Sequence, residues 1–497
     1  MTSRAASASD ASATPPGQGS AWQLPKWQSF SAIAITFITI VFSTAFTFLA
    51  LPKIAEEFDV TLAAVGWVVI IESLLIAALL LPLGGLADLL GDKRVLTIGV
   101  VIFGAGTLLT GLSPSFITLI LARVVMATGN ALTQSVATGM VVSIFPDEER
   151  GLAMGAQTAA VAVGSASAPL LGGLGLEFFP WRTSFLLLVI PTAISFFAIR
   201  RLIPNEPLRE TSENQAFDKQ GSVLSALAIV CIVVTLSNPF SLAWLSPGII
   251  GGGVISIVLL GLFIRWELQV DSPMLELRLF SDRVFRTAVA LRTFGFLASA
   301  TTALLLPVFL LSFREVSATA AGVIIALAAI GLGVGAQIAG RLYDRVGPRT
   351  PSLVGLALQI AVSLTFATAT ETSPLLILGV AAGLGGIGIA LWNVPNNSAI
   401  LGATPPEFLG VSGAFTNLAR TFGTVSGQAL AAAVVAGVMI SEGFDTPLGE
   451  LADTPGAGQA FNDGWRVAYL LSAAVSAALL VLATRLPGQQ DQSVSAD

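Results

Sequence analysis

Fourteen long apolar runs dominate this chain of 497 residues. Each run holds about 17–30 residues, which is enough for a helix to cross a hydrocarbon core ~30 Å thick. Lipid offers no hydrogen bonds to the backbone, so runs of this length favour helices. The predicted spans lie near residues 29–51, 62–86, 95–112, 115–144, 153–176, 181–202, 221–237, 247–264, 287–312, 318–342, 352–369, 374–400, 410–439 and 465–485. We therefore expect an all-α membrane protein with fourteen transmembrane helices.

The composition excludes several classes of protein. Charged residues make up 11% of the chain, whereas soluble globular proteins carry about 25%. Histidine is absent and Cys231 is the single cysteine, which excludes histidine catalysis, internal disulfides and cysteine-cluster metal sites. The net charge of −6 argues against a nucleic-acid partner. We expect neither a metal nor a cofactor.

The basic residues predict the orientation of the spans. If both termini are cytoplasmic, 17 Lys and Arg residues fall inside and 4 outside, while Arg123, Arg292 and Arg420 lie within spans. Such a bias is typical of cytoplasmic segments. We therefore predict a multi-pass protein of the cell (inner) membrane with cytoplasmic tails at 1–28 and 487–497. The first tail is rich in Ser, Ala, Pro and Gln, which favours disorder.

Two segments on the predicted cytoplasmic side repeat one pattern. Both read G-x-L-x-D-x-x-G with a basic residue soon after, and each follows a span at the same place. Glycine and aspartate allow a tight turn, and an aspartate can cap a helix N-terminus. Repeated halves are common in secondary transporters, with the substrate site between them. The candidate gating residues of the two segments are Gly84, Asp88, Gly91, Arg94, Gly340, Asp344, Gly347 and Arg349.

These segments resemble the signature loop of the major facilitator superfamily. The run 164–173 resembles its antiporter motif, and 417–423 resembles a helix of its fourteen-helix drug:proton antiporter branch. The resemblance implies two six-helix bundles, at 29–202 and 287–486, around a central cavity. It assigns 203–286 to a linker with two extra transmembrane helices. It further implies a secondary active transporter that exports small amphiphilic compounds in exchange for protons by alternating access.

The first span departs from that branch. Ser43 stands where an embedded Asp is usual, so export or uniport of a dedicated metabolite or lipid is an alternative. A non-transporting membrane sensor or scaffold is a second alternative. The chain contains no G-x-x-x-x-G-K-[ST] phosphate loop and no recognisable nucleophile–base pair, so we do not expect an enzyme. The expected partners are the lipid bilayer, a small-molecule substrate and protons, and we expect a monomer.

Glu72 is the one acidic residue near the middle of a predicted span. It lies about ten residues, or ~15 Å, from the outer end of its helix, and Arg123 lies at a similar depth in the fourth span. A carboxylate in hydrocarbon requires a partner, a proton or a cavity. We predict that Glu72 is the exchangeable proton site and that Arg123 keeps it ionised until substrate or a proton intervenes. The alternative is a permanent ion pair that orders two helices.

Small residues recur every four positions along the fifth span, so they share one helix face. The pattern indicates close approach of another helix, and the proline allows a bend. We predict a hinge or seal between the two halves; ordinary tight packing is the alternative. The residues proposed for this role are Gly164, Ala168, Pro169 and Gly172.

The twelfth span combines an aromatic residue with amides. Trp392 and Asn396 are four residues apart and share a face, and Asn393 lies beside them. An aromatic ring next to amides is a plausible wall for an amphiphilic ligand; amides that meet water at a helix end are the alternative. We predict a substrate cavity lined by Trp392, Asn393, Asn396, Phe296, Phe309 and Arg420.

Overall fold

A computed structural model of the chain describes residues 23–60, 62–146, 149–204, 218–238, 246–270, 273, 275–405, 408–444, 454 and 456–487. Within these residues the regular structure is entirely helical. The helices are α1 (Gln23–Phe58), α2 (Leu62–Leu90), α3 (Asp92–Leu112), α4 (Phe116–Ile144), α5 (Arg150–Ser167), α6 (Gly173–Phe178), α7 (Trp181–Leu202), α8 (Lys219–Ser237), α9 (Pro247–Glu267), α10 (Arg283–Val308), α11 (Ala318–Val346), α12 (Arg349–Ala367), α13 (Leu375–Gly402), α14 (Leu409–Ser441) and α15 (Ala457–Ala483).

The predicted all-α membrane fold is confirmed. Thirteen of the described helices are long and apolar enough to cross a membrane. The fifth predicted span consists of α5 and α6, which are joined by a π-helical turn at Ala168–Gly172. Pro169 lies in this turn and has no backbone N–H to donate to the preceding turn of an α-helix. The missing hydrogen bond is a local cause of the π-helical turn.

The helices form two six-helix bundles and an inserted hairpin. In the first bundle α3 packs against α4 and α7, α1 against the α5–α6 span and α7, and α2 against α4. In the second bundle α10 packs against α14 and α15, α11 against α13, and α12 against α13 and α15. The hairpin of α8 and α9 joins the bundles in sequence, and α8 lies against both α2 and α14. The hairpin therefore contacts both halves of the molecule.

Two short turns mark one end of the bundle. Gly91 (φ +84°) separates α2 from α3, and Gly347 (φ +73°) lies between α11 and α12. A side chain at such a φ is strained, which explains glycine at the same place in both repeats. The repeated segments are mostly helical, because Gly84 lies within α2 and Gly340 within α11. We call this end of the molecule the Gly91–Gly347 end.

The two bundles share a hydrophobic cluster at the Gly91–Gly347 end and have separate clusters at the opposite end. At the Gly91–Gly347 end one hydrophobic cluster contains residues of both bundles, including Val141 and Met154 with Ala336 and Val394. At the opposite end each bundle has its own cluster. One holds residues of α1, α2, α4 and α7, and the other holds residues of α10 to α15. Buried apolar contact between the bundles is therefore concentrated at the Gly91–Gly347 end.

Two boundaries differ from the sequence-based prediction. Helix α1 begins at Gln23, inside the segment predicted as a tail to residue 28, because Trp27 packs edge-on against Phe145 at 4.9 Å. Helix α15 begins at Ala457 rather than near 465. Its first turns carry polar residues that lower the hydropathy, but Phe461 on their apolar face is buried. Residues 1–22 and 488–497 of the predicted tails lie outside the described residues.

Candidate functional site

Glu72 forms a buried ion pair with Arg123. The Glu72 side chain is 3% exposed and that of Arg123 is 0% exposed, and Nη2 of Arg123 donates to Oε2 of Glu72. Oε1 accepts from Thr44 Oγ1 at 2.9 Å and from Asn130 Nδ2 at 3.2 Å. Ser43 itself is buried, and its Oγ has no partner among the described residues. The acid of this site is therefore supplied by α2, while α1 contributes the hydroxyl next to Ser43.

A chain of side-chain hydrogen bonds leads from this pair to the second bundle. Gln134 Nε2 donates to Asn130 Oδ1 at 2.7 Å, and Arg420 Nη2 donates to Gln134 Oε1 at 3.2 Å. Asn130 and Gln134 are four residues apart and share one face of α4. Every donor in the chain points towards Glu72. Spacing in the sequence does not reveal this chain, because it does not show how α4 is rotated against α14.

Arg292 is a buried arginine of the C-terminal bundle, whereas Arg420 is partly exposed. Its Nε donates to the Thr416 carbonyl at 2.8 Å, and its Nη1 donates to Asn393 Oδ1 at 2.5 Å. Thr416 precedes Arg420 by four residues, so Arg292 reaches α14 one helical turn from Arg420. The two positive charges therefore lie on neighbouring turns of the α14 surface. Arg292, Asn393 and Arg420 thus form one polar cluster beside the bundle interface.

The aromatic residues of the predicted cavity separate into two groups. Phe296 is partly exposed, meets Trp392 edge-on at 5.1 Å and lies 5.4 Å from the Arg292 guanidinium carbon. Trp392 itself is fully buried against Gly295, where its ring occupies the space of a Cβ atom. Asn396 is also fully buried, and its Nδ2 donates to the Trp392 carbonyl at 2.7 Å. Trp392 and Asn396 therefore support the wall formed by Phe296 rather than line it.

The prediction that Phe309 lines the cavity is wrong. Phe309 is 0% exposed and stacks on Trp465 with the ring centroids 4.2 Å apart. Both residues belong to the C-terminal bundle's own cluster at the end opposite Gly347. Hydropathy alone cannot separate an aromatic residue in a core from one in a cavity, since both lie within apolar runs.

Asp344 joins the two bundles at the Gly91–Gly347 end. Its Oδ1 accepts from the Gly151 amide at 2.9 Å, and its Oδ2 accepts from the Leu152 amide at 3.0 Å. Both amides belong to the first turn of α5, so an aspartate of the second bundle caps a helix of the first. Gly340 allows this approach, because a Cβ there would lie 2.4 Å from the Gly151 carbonyl oxygen. The sequence predicted a capping aspartate but not the helix that it caps.

The other residues of the repeated segments have less specific surroundings. Gly84 is buried within α2, and the side chains of Arg94 and Arg349 are exposed. The side chain of Asp88 lies outside the described residues. Its role, like that of the other predicted gating residues, remains a prediction.

The small-residue face of the fifth span lies against α1. A Cβ at Gly164 would lie 2.9 Å from the Ile38 carbonyl oxygen, and one at Gly172 would lie 2.5 Å from the Phe46 ring. Both contacts are within the first bundle, so at these positions the face is not a seal between the halves. Four-residue spacing indicates a close neighbour but not which helix it is. Ala168 is buried at the start of the π-turn, and the side chain of Pro169 is outside the described residues.

The described residues contain no cluster of three or more acidic or cysteine side chains that could hold a metal ion. What they contain is a buried ion pair that a chain of hydrogen bonds joins to Arg420 across the interface of the two bundles. Two helical bundles with a polar site at their interface are an arrangement found in membrane transporters.

Comparison with known proteins identifies the family. The sequence profile of the Major Facilitator Superfamily matches residues 32–428, and the chain belongs to this family. The riboflavin transporter RibZ of Clostridioides difficile (strain 630) is 28% identical over 414 residues, which cover 81% of this chain and 87% of RibZ. The multidrug resistance protein Stp of Mycobacterium tuberculosis (strain ATCC 25618 / H37Rv) is 29% identical over 388 residues, which cover 78% of this chain and 72% of Stp.

The fold is also similar to that of a solved transporter. The crystal structure of the human organic anion transporter MFSD10 (TETRAN) superposes with a TM-score of 0.67 at 14% identity. The match covers 93% of this chain and all of that one. At this level of identity the likeness concerns the fold alone.

Proposed function

We propose that this transporter exports small amphiphilic compounds in exchange for protons. The observation that carries the proposal is the hydrogen-bonded chain from Glu72 to Arg420, since it joins the embedded acid to the other bundle. The excess of basic residues predicted for the cytoplasm supports a cytoplasmic position for the Gly91–Gly347 end. In this orientation the apolar contact between the bundles lies on the cytoplasmic side, and the proposal assigns both termini to the cytoplasm and the protein to the cell membrane.

Protonation of Glu72 would alter each contact that the carboxylate now makes. A neutral carboxyl group no longer balances the charge of Arg123, and it accepts hydrogen bonds from Thr44 and Asn130 more weakly. Because Gln134 and Arg420 complete the same chain, the change reaches the contact between the bundles. A proton taken up from outside thus favours separation of the bundles at the Gly91–Gly347 end, where substrate is collected.

The relatives support the proposal in part. Stp is described as a multidrug resistance protein, which favours export of varied compounds. RibZ is described as a riboflavin transporter, and this likeness favours transport of one dedicated metabolite as the second candidate.

Competition for transport separates the two candidates. A multidrug exporter is inhibited by several unrelated amphiphiles, whereas a dedicated transporter is inhibited only by compounds close to its substrate.

The decisive experiment measures transport into inside-out membrane vesicles with an acidic interior. The probes are ethidium, an aromatic cation, and anilinonaphthalene sulfonate, an aromatic anion. We expect gradient-driven accumulation of a probe by the wild type and loss of the gradient dependence in Glu72→Gln. The matched control is Glu57→Gln, which removes an ion pair with Arg182 at 2.8 Å that lies outside the chain of hydrogen bonds. Transport by Glu72→Gln with unchanged pH dependence would refute proton coupling through this residue.

A further inference from the structure

The charges in the middle of the bundle do not balance. Four charged side chains lie within the central parts of the helices: Glu72, Arg123, Arg292 and Arg420. Glu72 neutralises Arg123. Among the described residues Arg292 and Arg420 contact only neutral groups, namely a carbonyl and the amide oxygens of Asn393 and Gln134. The site therefore carries two positive charges without acidic partners.

Such a pair is costly to maintain within a membrane protein. A buried cation without a counter-charge loses hydration that neutral acceptors restore only in part. Here Arg292 reaches α14 one helical turn from Arg420, and like charges at this spacing repel each other. A group that binds between them and carries negative charge removes both costs at once.

The guanidinium groups retain donors for such a ligand. Arg292 uses Nε and Nη1, and Arg420 uses Nη2. In the part of the chain that the structure describes, Nη2 of Arg292 and both Nε and Nη1 of Arg420 make no hydrogen bond. Guanidinium groups match the geometry of carboxylate, sulfonate and phosphate oxygens. Phe296, beside Arg292 and partly exposed, supplies an apolar surface next to these donors.

We propose that Arg292 and Arg420 bind the anionic group of a ligand whose aromatic or apolar body lies against Phe296. This inference rests on the proposed transport function, since it assigns the charge of the transported compound. An anion bound to Arg420 neutralises the same guanidinium that donates to Gln134. Ligand binding and protonation of Glu72 therefore act on opposite ends of one hydrogen-bonded chain.

The test compares binding of two probes that differ in charge. Naphthalene sulfonate and the neutral naphthalene methanol are titrated against the purified full-length protein in a chloride-free buffer. We expect the sulfonate to bind the wild type at least tenfold more tightly. Arg292→Gln and Arg420→Gln should each lose at least tenfold in sulfonate affinity and keep the affinity for the neutral probe. Equal affinity of the wild type for both probes, or unchanged sulfonate affinity in both variants, would overturn the inference.

The controls separate charge at this site from charge elsewhere. Arg466→Gln removes an exposed arginine of α15 and should bind both probes as the wild type does. Arg420→Lys keeps the charge, so it should retain more sulfonate affinity than Arg420→Gln. If neither glutamine variant folds, the affinities of the wild type for the two probes still test whether the protein prefers an anionic ligand.

Two further measurements complete the test. One identifies the kind of anion that the site binds, and the other separates failure of this inference from failure of the proposed transport function. Displacement of the sulfonate by added chloride assigns the site to an inorganic anion, and resistance to chloride assigns it to an organic one. Binding is measured without a pH gradient, so it is independent of proton coupling. Anion binding without gradient-driven transport contradicts only the proposed function, and gradient-driven transport without anion preference contradicts only this inference.

Discussion

Removal of the Asp344 carboxylate should open the molecule at the Gly91–Gly347 end. Asp344 accepts two backbone hydrogen bonds from the first turn of α5, at 2.9 and 3.0 Å. A hydrogen bond to a charged group contributes about 1.5–3 kcal/mol, and a neutral one ~1 kcal/mol. Because Asp344 is exposed, we take the lower values and expect Asp344→Ala to cost the closed arrangement ~2 kcal/mol. This is about a thirtyfold change in the ratio of closed to open molecules.

The opening can be measured as a distance between spin labels. Cys231 is first replaced by Ser, and cysteines are introduced at Arg201 and Thr484, which are exposed and belong to different bundles. Double electron–electron resonance then reports the separation of the bundles. We expect a dominant short distance in this background and a large population at a longer distance once Asp344→Ala is added.

Two additional variants make the result interpretable. Asp344→Asn keeps one acceptor oxygen and should give an intermediate distribution. Glu371→Gln removes an exposed carboxylate at the opposite end and should change nothing. The reasoning is wrong if Asp344→Ala leaves the distribution as it was, or if Glu371→Gln shifts it equally.

Three shorter predictions follow from the packing and from the polar chain. Gly340→Ala places a Cβ 2.4 Å from the Gly151 carbonyl oxygen, so the same spin-label distances should lengthen as in Asp344→Ala; an unchanged distance would contradict the close approach. Phe309→Ala removes a buried ring stacked on Trp465 and should destabilise the fold by ~3–5 kcal/mol in thermal unfolding. A change in substrate preference at unchanged stability would instead show that Phe309 lines the substrate cavity. Gln134→Leu interrupts the chain between the bundles and should weaken the pH dependence of vesicle transport, whereas full dependence would exclude this route.

The sequence predicted those features that depend on one helix at a time. Apolar runs specify the spans, and the depth of Glu72 and Arg123 along their helices placed the two charges at the same level. The repeated sequence pattern also located the paired turns at Gly91 and Gly347, since both repeats require glycine there. These properties depend on position along a helix axis, which spacing in the sequence measures directly.

Features that depend on how helices are rotated and paired could not be predicted. The spacing at Gly164 indicated a close neighbour and the sequence did not show that it is α1. Asp344 was identified as a capping residue, but its target lies almost two hundred positions away in the other bundle. Phe309 was placed in the cavity because the cavity and the core of a membrane bundle have similar composition. Only packing distinguishes these cases.

The α8–α9 hairpin makes the molecule asymmetric towards the lipid. The bundles meet along two seams, one between α2 and α14 and one between α5 and α11. The hairpin covers the first seam, since α8 contacts both of its helices. Among the described helices the α5–α11 seam is not covered by the hairpin, so a compound dissolved in the bilayer is expected to enter the interior past α5 and α11. The first seam also cannot widen unless α8 slides along one of the two helices, so opening is expected to begin at the α5–α11 side.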